Sequence, residues 1–233
     1  TVIVTDPGSL WSNRHSSEGV SIGHENGSAF NGLYVSNGGQ VHVPHLSLSG
    51  NLSCGTNEVV VDGTSSVLVL YQVTGGLSSV RGGGNSRIHI TNGGTGLNSG
   101  ALFIQEANNK ISVGGVGSLW SNGRLLAIGA SGTGCLMEVS SGGTFFNMAG
   151  STSFVGYANG ISNMARVTGM GSVWTNAGIL IVGFSNDMWN GVVVTDGGLV
   201  YSSNAVVGLD AASVSNTVLV AGGGSVWTNS GNV

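Results

Sequence analysis

At 233 residues the chain is long enough for one or two compact domains, yet it carries 43 glycines, two prolines and only 7% charged residues. Glycine without a Gly-X-Y period excludes collagen, and 40% hydrophobic residues exclude simple disorder. A net charge of −4 with a single lysine leaves no basic patch to neutralise phosphates, so nucleic acid is excluded as a partner.

The first recognisable element is a phrase, Gly-Ser-Leu-Trp-Ser-Asn, at 8–13. It returns at 117–122 and, as Gly-Ser-Val-Trp-Thr-Asn, at 171–176 and 224–229. Trp120, Trp174 and Trp227 lie 54 and 53 residues apart, and the gap of 109 back to Trp11 is two such steps. A decayed copy fills the missing place at 63–68, with Leu68 standing for Trp. A fixed period is the signature of a repeat architecture.

Each unit divides again. Short apolar strands ending in glycine recur, among them Val20-Ser21-Ile22-Gly23, Leu46-Ser47-Leu48-Ser49-Gly50, Leu126-Ala127-Ile128-Gly129 and Ile181-Val182-Gly183. Between them run strands that enter a glycine turn, from Leu33-Tyr34-Val35 through Ile88-His89-Ile90 to Val218-Leu219-Val220. In the second set the first and third positions are aliphatic in nearly every copy, while the residue between them varies. Successive strand side chains point to opposite faces, so the aliphatic pair faces a core and the varied residue faces out.

Three short strands per coil of about 27 residues, repeated eight or nine times, predict an all-β fold, a parallel right-handed β-helix. No coil buries its apolar face alone; stacking the next one above it builds a continuous core. The whole of 1–233 reads as one domain. It begins and ends inside a repeat, as a segment of a longer or processed protein would. Over 72–110 the pattern loosens at Gly82-Gly83-Gly84 and Gln105-Glu106, where a longer loop is expected.

The run from Gly-Ser-Val-Trp-Thr-Asn through Ile-Val-Gly to Val-Val-Val-Thr-Asp-Gly-Gly at 171–198 resembles the repeat of type V autotransporter passengers and of PEP-CTERM-associated surface proteins. The same order appears at 8–39 and 117–143. The resemblance implies a bacterial cell-surface or secreted setting and a structural or adhesive role. It implies no catalytic residue and no cofactor.

Chemistry has few places to sit. Taking its phase from Val41-His42-Val43, the third strand sets Trp11, His42, Leu68, Trp120, Phe146, Trp174, Tyr201 and Trp227 in one row. Facing out, Trp11, Trp120, Trp174, Tyr201 and Trp227 would form a ladder able to stack on sugar rings or on a protein. Facing in, the same rings would stiffen the rod. His42-Val43-Pro44-His45 has the wrong spacing for one ion on a strand, and His15 and His24 are isolated. Asp62 and Asp196 stand at turns, where Asn37 and Asn92 stand in other coils. Asp187, Asp196 and Asp210 fall in adjacent coils but at different points of the circuit, a poor basis for a sugar-cleaving enzyme. The Asn that closes each phrase reads as a turn residue, and Cys54 and Cys135 as free, buried thiols. An open stack also offers its ends. Ser230-Gly231-Asn232-Val233 of one copy could be followed by Thr1-Val2-Ile3-Val4 of another, making a filament.

The expected activity is therefore non-enzymatic. The partners would be a surface glycan or protein, or further copies of the chain, with no membrane insertion in this segment.

Overall fold

The structure, a computed structural model, describes residues 1–13, 19–49, 54–71, 77–80, 84–148 and 150–231. Of the residues singled out from the sequence, His15, Gly50, Gly82, Gly83, Asn232 and Val233 fall outside these ranges. The fold is the expected one: parallel strands stacked as a β-solenoid of about eight turns, with no helix among the described residues.

In chain order the strands are β1 (Val2–Thr5), β2 (Leu10–Ser12), β3 (Val20–Ile22), β4 (Gly32–Ser36), β5 (Gln40–Val43), β6 (Leu46–Leu48), β7 (Glu58–Asp62) and β8 (Val67–Leu70). They continue as β9 (Leu77–Val80), β10 (Arg87–Thr91), β11 (Thr95–Asn98), β12 (Ala101–Ala107), β13 (Lys110–Gly114), β14 (Leu119–Asn122), β15 (Leu126–Thr133) and β16 (Leu136–Ser140). The last are β17 (Thr144–Asn147), β18 (Ser153–Tyr157), β19 (Met164–Thr168), β20 (Val173–Val182), β21 (Gly191–Thr195), β22 (Leu199–Val207), β23 (Thr217–Ala221) and β24 (Val226–Asn229).

They form three faces. The first is a nine-stranded sheet running from β1 through β4, β7, β10, β13, β16, β19 and β21 to β23. The second stacks β2, β5, β8, β11, β14, β17, the first half of β20, β22 and β24. The third begins at β3 and β6 and ends in the second halves of β20 and β22, which run through the corner without a break. From Gly84 to Lys110 the strands keep their places: β10 pairs with β7 and β13, and β11 with β8 and β14.

The period-2 pattern fixes what lies inside. Leu33, Val35, Val59, Val61, Ile88, Ile90, Ile111 and Val113 form two inward columns of the first face and are buried. The second and third faces add Val41, Leu68, Leu46, Leu102, Leu126 and Leu180. Like residue stacks on like residue, so each coil completes the core of its neighbour.

The corners are polar and are closed by ladders of side chains. One column, just before the first face, holds Asn31, Asn57, Ser86, Asn109, Cys135, Asn163, Asn190 and Asn216. From Asn57 on, each side-chain oxygen in the column accepts the backbone N–H of its counterpart one coil earlier, as from Asn163 N to Asn190 Oδ1 at 2.9 Å and from Asn190 N to Asn216 Oδ1 at 3.0 Å. A glycine on the third face makes room for it. A Cβ on Gly129, Gly156 or Gly183 would collide with Asn163, Asn190 or Asn216. These glycines also sit at positive φ, where a side chain is strained.

Candidate functional site

The repeated phrase is consumed by the architecture. In Gly171-Ser172-Val173-Trp174-Thr175-Asn176 the serine Oγ donates to Thr168 O at 2.7 Å and accepts Gly142 N at 3.1 Å. Ser66, Ser118 and Ser225 accept the turn N–H of Gly38, Gly93 and Gly197 in the same way. The asparagine closes the corner after the second face. Asn98 Nδ2 donates to Asn122 Oδ1 and Asn122 Nδ2 to Asn147 Oδ1, both at 2.7 Å, and Asn147 Nδ2 donates to Asn176 Oδ1 at 3.2 Å. These amides are structural, as the phrase suggested, and lie buried.

The outward tryptophan ladder is overturned. Trp120 and Trp174 are 0% exposed and belong to the core, and Trp11 and Trp227 pack against that core from its two ends. Trp11 pairs with Val41, which faces in, and not with His42. The true column is Trp11, Val41, Leu68, Gly96, Trp120, Phe145, Trp174, Val200 and Trp227. His42, Phe146 and Tyr201 stand one residue later, on the outer side. A one-residue shift in phase exchanges the two faces of a strand, and the serines flanking the phrase left that phase unmarked. Leu68 does occupy the tryptophan place, between Val41 and Gly96.

Tyr201 is the one member of the predicted contact set that is exposed, at 41%. It borders a shallow groove of about 280 Å³ with Thr175, Ala177, Ser203, Thr228 and Ser230. Two more exposed aromatic residues lie elsewhere, on separate turns between the third and first faces. The residue before each Asn of the first corner ladder is left-handed: Phe30, Thr56, Asn85, Asn108, Gly134, Ser162, Trp189 and Ser215 all have positive φ. Most are small or polar, as that backbone favours. Trp189, with φ 55° and 60% exposed, and Phe30, with φ 59° and 82% exposed, are not. A bulky residue in this region is a genuine outlier. Met188 lies beside Trp189, bridged on one side to Ile161 and on the other to Val214. Trp189 went unnoticed in the sequence because it is the one tryptophan outside the phrase, and that exclusion was itself the available signal.

The first face carries a polar strip. Tyr34 donates a short hydrogen bond to Glu58, whose other oxygen accepts Arg87 Nε and pairs with Arg87 Nη2, both at 2.8 Å. Lys110 Nζ lies 2.6 Å from Glu138 Oε2, and Arg166 Nη1 lies 3.8 Å from Glu138 Oε1. His89 Nδ1 meets Ser112 Oγ at 2.5 Å. The bond from Tyr34 holds the Glu58 carboxyl below the usual glutamate value and raises the phenol of Tyr34. Burial, with the charges of Arg87 and Lys110, lowers the pKa of His89 and so favours its neutral form. The arrangement is an ion-pair network on a flat sheet, with its main donors and acceptors engaged with one another.

The scattered acids are structural too. Asp187 is buried. It accepts Phe184 N at 2.7 Å and Gly160 N, and burial pushes its pKa up. Asp210 accepts Ser185 N at 2.8 Å, and Asp196 accepts Thr168 Oγ1 at 3.1 Å. Asp196 has the left-handed turn conformation of Asn37 and Asn92. Asp62 is one residue earlier, the last of β7, and accepts from both Thr91 and Asn92. His45 Nε2 accepts Gly19 N, while His42 faces out from β5. Among the described residues no group of three or more His, Cys, Asp or Glu could hold a metal ion. Both cysteines are free and buried; Cys135 fills an Asn place in the corner ladder, and burial raises its thiol to about 11.

The end faces expose core-type side chains. Val2 and Val4 are inward residues of β1, with Ile3 outward and Thr1 just before the strand. At the other end Val218 and Val220 are inward residues of β23, and Ser230 N and Gly231 N stay in the ladder, bonded to Ser202 O and Ser203 O. Thr1–Val4 enters the first face, whereas Ser230 and Gly231 leave the second.

No protein-family model, curated protein or solved structure matches this chain.

Proposed function

We propose that this chain is a non-enzymatic structural module of a bacterial surface or secreted protein, a stiff β-solenoid that presents exposed aromatic side chains for adhesion. The reading rests on one observation above the others: Trp189 stands exposed at a backbone position that disfavours it, in a row otherwise built mainly from Asn, Ser, Thr and Gly. Strain of this kind costs on the order of 1–3 kcal/mol and clusters at contact and active sites. An indole held on such a turn suits stacking against a sugar ring, and Tyr201 with its hydroxyl-lined groove offers a second contact of the same type. The autotransporter and PEP-CTERM resemblance agrees with a surface setting. Catalysis has no part in the proposal, because Glu58, Glu138, Asp187 and Asp196 are each engaged in an ion pair or hydrogen bond that serves the coil.

The test substitutes Trp189→Gly and measures glycan-array binding beside thermal stability. Adhesion through Trp189 predicts lost binding with an unchanged or raised melting temperature. A lowered melting temperature with binding intact would make Trp189 a structural residue and end the proposal. Release of soluble sugar by the unaltered chain would replace it with an enzymatic one.

A further inference from the structure

The second face differs in composition from the ion-paired first face. Its two outward rows run along β2, β5, β8, β11, β14, β17, β20, β22 and β24, and neither contains an Asp, Glu, Lys or Arg. Val67, Val69, Leu97, Leu119, Phe146 and Val173 occupy its middle. They shade one another but stay open on the side away from the core; Leu97 is 37% exposed. The first face, by contrast, holds three of the six basic residues of the chain, Arg87, Lys110 and Arg166.

We propose that the second face is where two copies of this chain pack together, sheet against sheet. Three observations choose a second copy over other occupants. A face without charge offers no electrostatic complement to a charged partner, but it is complementary to itself. From β5 to the start of β20 the ladder runs without a register shift, so the rows repeat at the strand spacing of about 4.8 Å. An identical sheet has the same repeat, and its side chains can interdigitate along the full length, as in aligned sheet packing. The area is also sufficient. Nine strands by about 13 Å of strand length give roughly 500 Å² per copy, or about 1,000 Å² in total, the size at which specific interfaces begin.

Such a pair is isologous, with its two-fold axis lying in the contact plane. With full overlap, β14, the fifth of the nine strands, meets β14 of the second copy whether the rods run parallel or antiparallel. Leu119 therefore sits at the centre of the contact. Trp189, which carries the adhesive reading, lies on a turn outside this face, so its test and the test of the pairing fail separately; Tyr201, the second adhesive contact, is an outward residue of β22 and would be covered by the pairing.

Sedimentation equilibrium of the full chain at submillimolar concentrations, with Leu119→Lys, Phe146→Lys and Val220→Lys beside it, tests the pairing. The unaltered chain should form dimers. Each face substitution should weaken them at least about tenfold, since a lysine ammonium is then set against an apolar sheet. Both side chains point outward, so circular dichroism and melting temperature should hold. Val220→Lys, at an end face, should leave the dimer intact. A chain that stays monomeric overturns the proposal, as does an association that survives both face substitutions or is abolished only by Val220→Lys.

Discussion

Gly96 lies directly against the indole of Trp120 in the next coil. A Cβ at Gly96 would fall 2.7 Å from Trp120 Cζ3 and closer still to Cε3. At this level of the inward column a missing side chain in β11 accommodates the large one in β14.

Gly96→Ala should therefore destabilise the fold by about 1–3 kcal/mol through overpacking. Trp120→Leu in the same background should recover part of that loss. A double-mutant cycle by denaturant titration measures the coupling, and additive effects would show that the two residues do not compete for space.

Trp174→Ala should cost about 3–5 kcal/mol, the range for removing a large buried aromatic. Trp174→Phe should cost far less. The neighbouring coil already uses Phe145 at that place, and the Nε1–H of Trp174 has no hydrogen-bond partner to lose. Tyr201→Ala, on the outer side of the same strand stack, should scarcely shift the melting temperature.

Asn147 is the middle of a buried relay, accepting from Asn122 and donating to Asn176 and Ser153. Asn147→Ala strands partners on both sides, and each buried orphan costs about 1–3 kcal/mol. The loss should exceed that from an outward residue of β17, such as Thr144→Ala, when both are followed by chemical denaturation.

Acidification should weaken the first face through Glu58. Its folded pKa is lowered, first by the hydrogen bond from Tyr34 and then by Arg87. The stability it contributes is complete above the ordinary glutamate value of 4.5 and is lost as pH falls through the lower folded value. Glu58→Gln should cost less than about 1 kcal/mol at neutral pH, because the pair is partly solvated. It should also flatten the fall of melting temperature between pH 5 and 3, a range set by the ordinary carboxylate values.

Much of the fold was legible because the side-chain period of a strand is two and the coil period is written in the Trp phrase. Leu33 with Val35 and Ile88 with Ile90 declare an inward pair without ambiguity. The phrase itself did not, since Trp174 is flanked by Val173 and Thr175, and a β-branched residue sits comfortably on either side of a sheet. The register of Trp11 against Val41 and the burial of Trp120 and Trp174 resolve it. The corner ladders were half visible: the phrase-closing Asn stands in an obvious motif, whereas Asn163, Asn190 and Asn216 recur at the coil period but belong to a column in which Ser86 and Cys135 replace Asn, so no asparagine repeat declares itself. Trp189 escaped for a related reason, since nothing in a sequence marks a left-handed backbone at a bulky residue.

The relay that closes the second-face corner does not run the whole length of the rod. After Asn13, Val43 and Leu70 occupy its second and third places, and asparagine returns at Asn98. A stack of near-identical coils has little to tell one level from the next, and a chain slipped by a whole turn would find nearly equivalent neighbours. At the change from Leu70 to Asn98 such a slip sets an amide against an aliphatic side chain and leaves a buried polar group unanswered. Such a step works as an address, marking one correct level at which the coils of an otherwise repetitive molecule can dock.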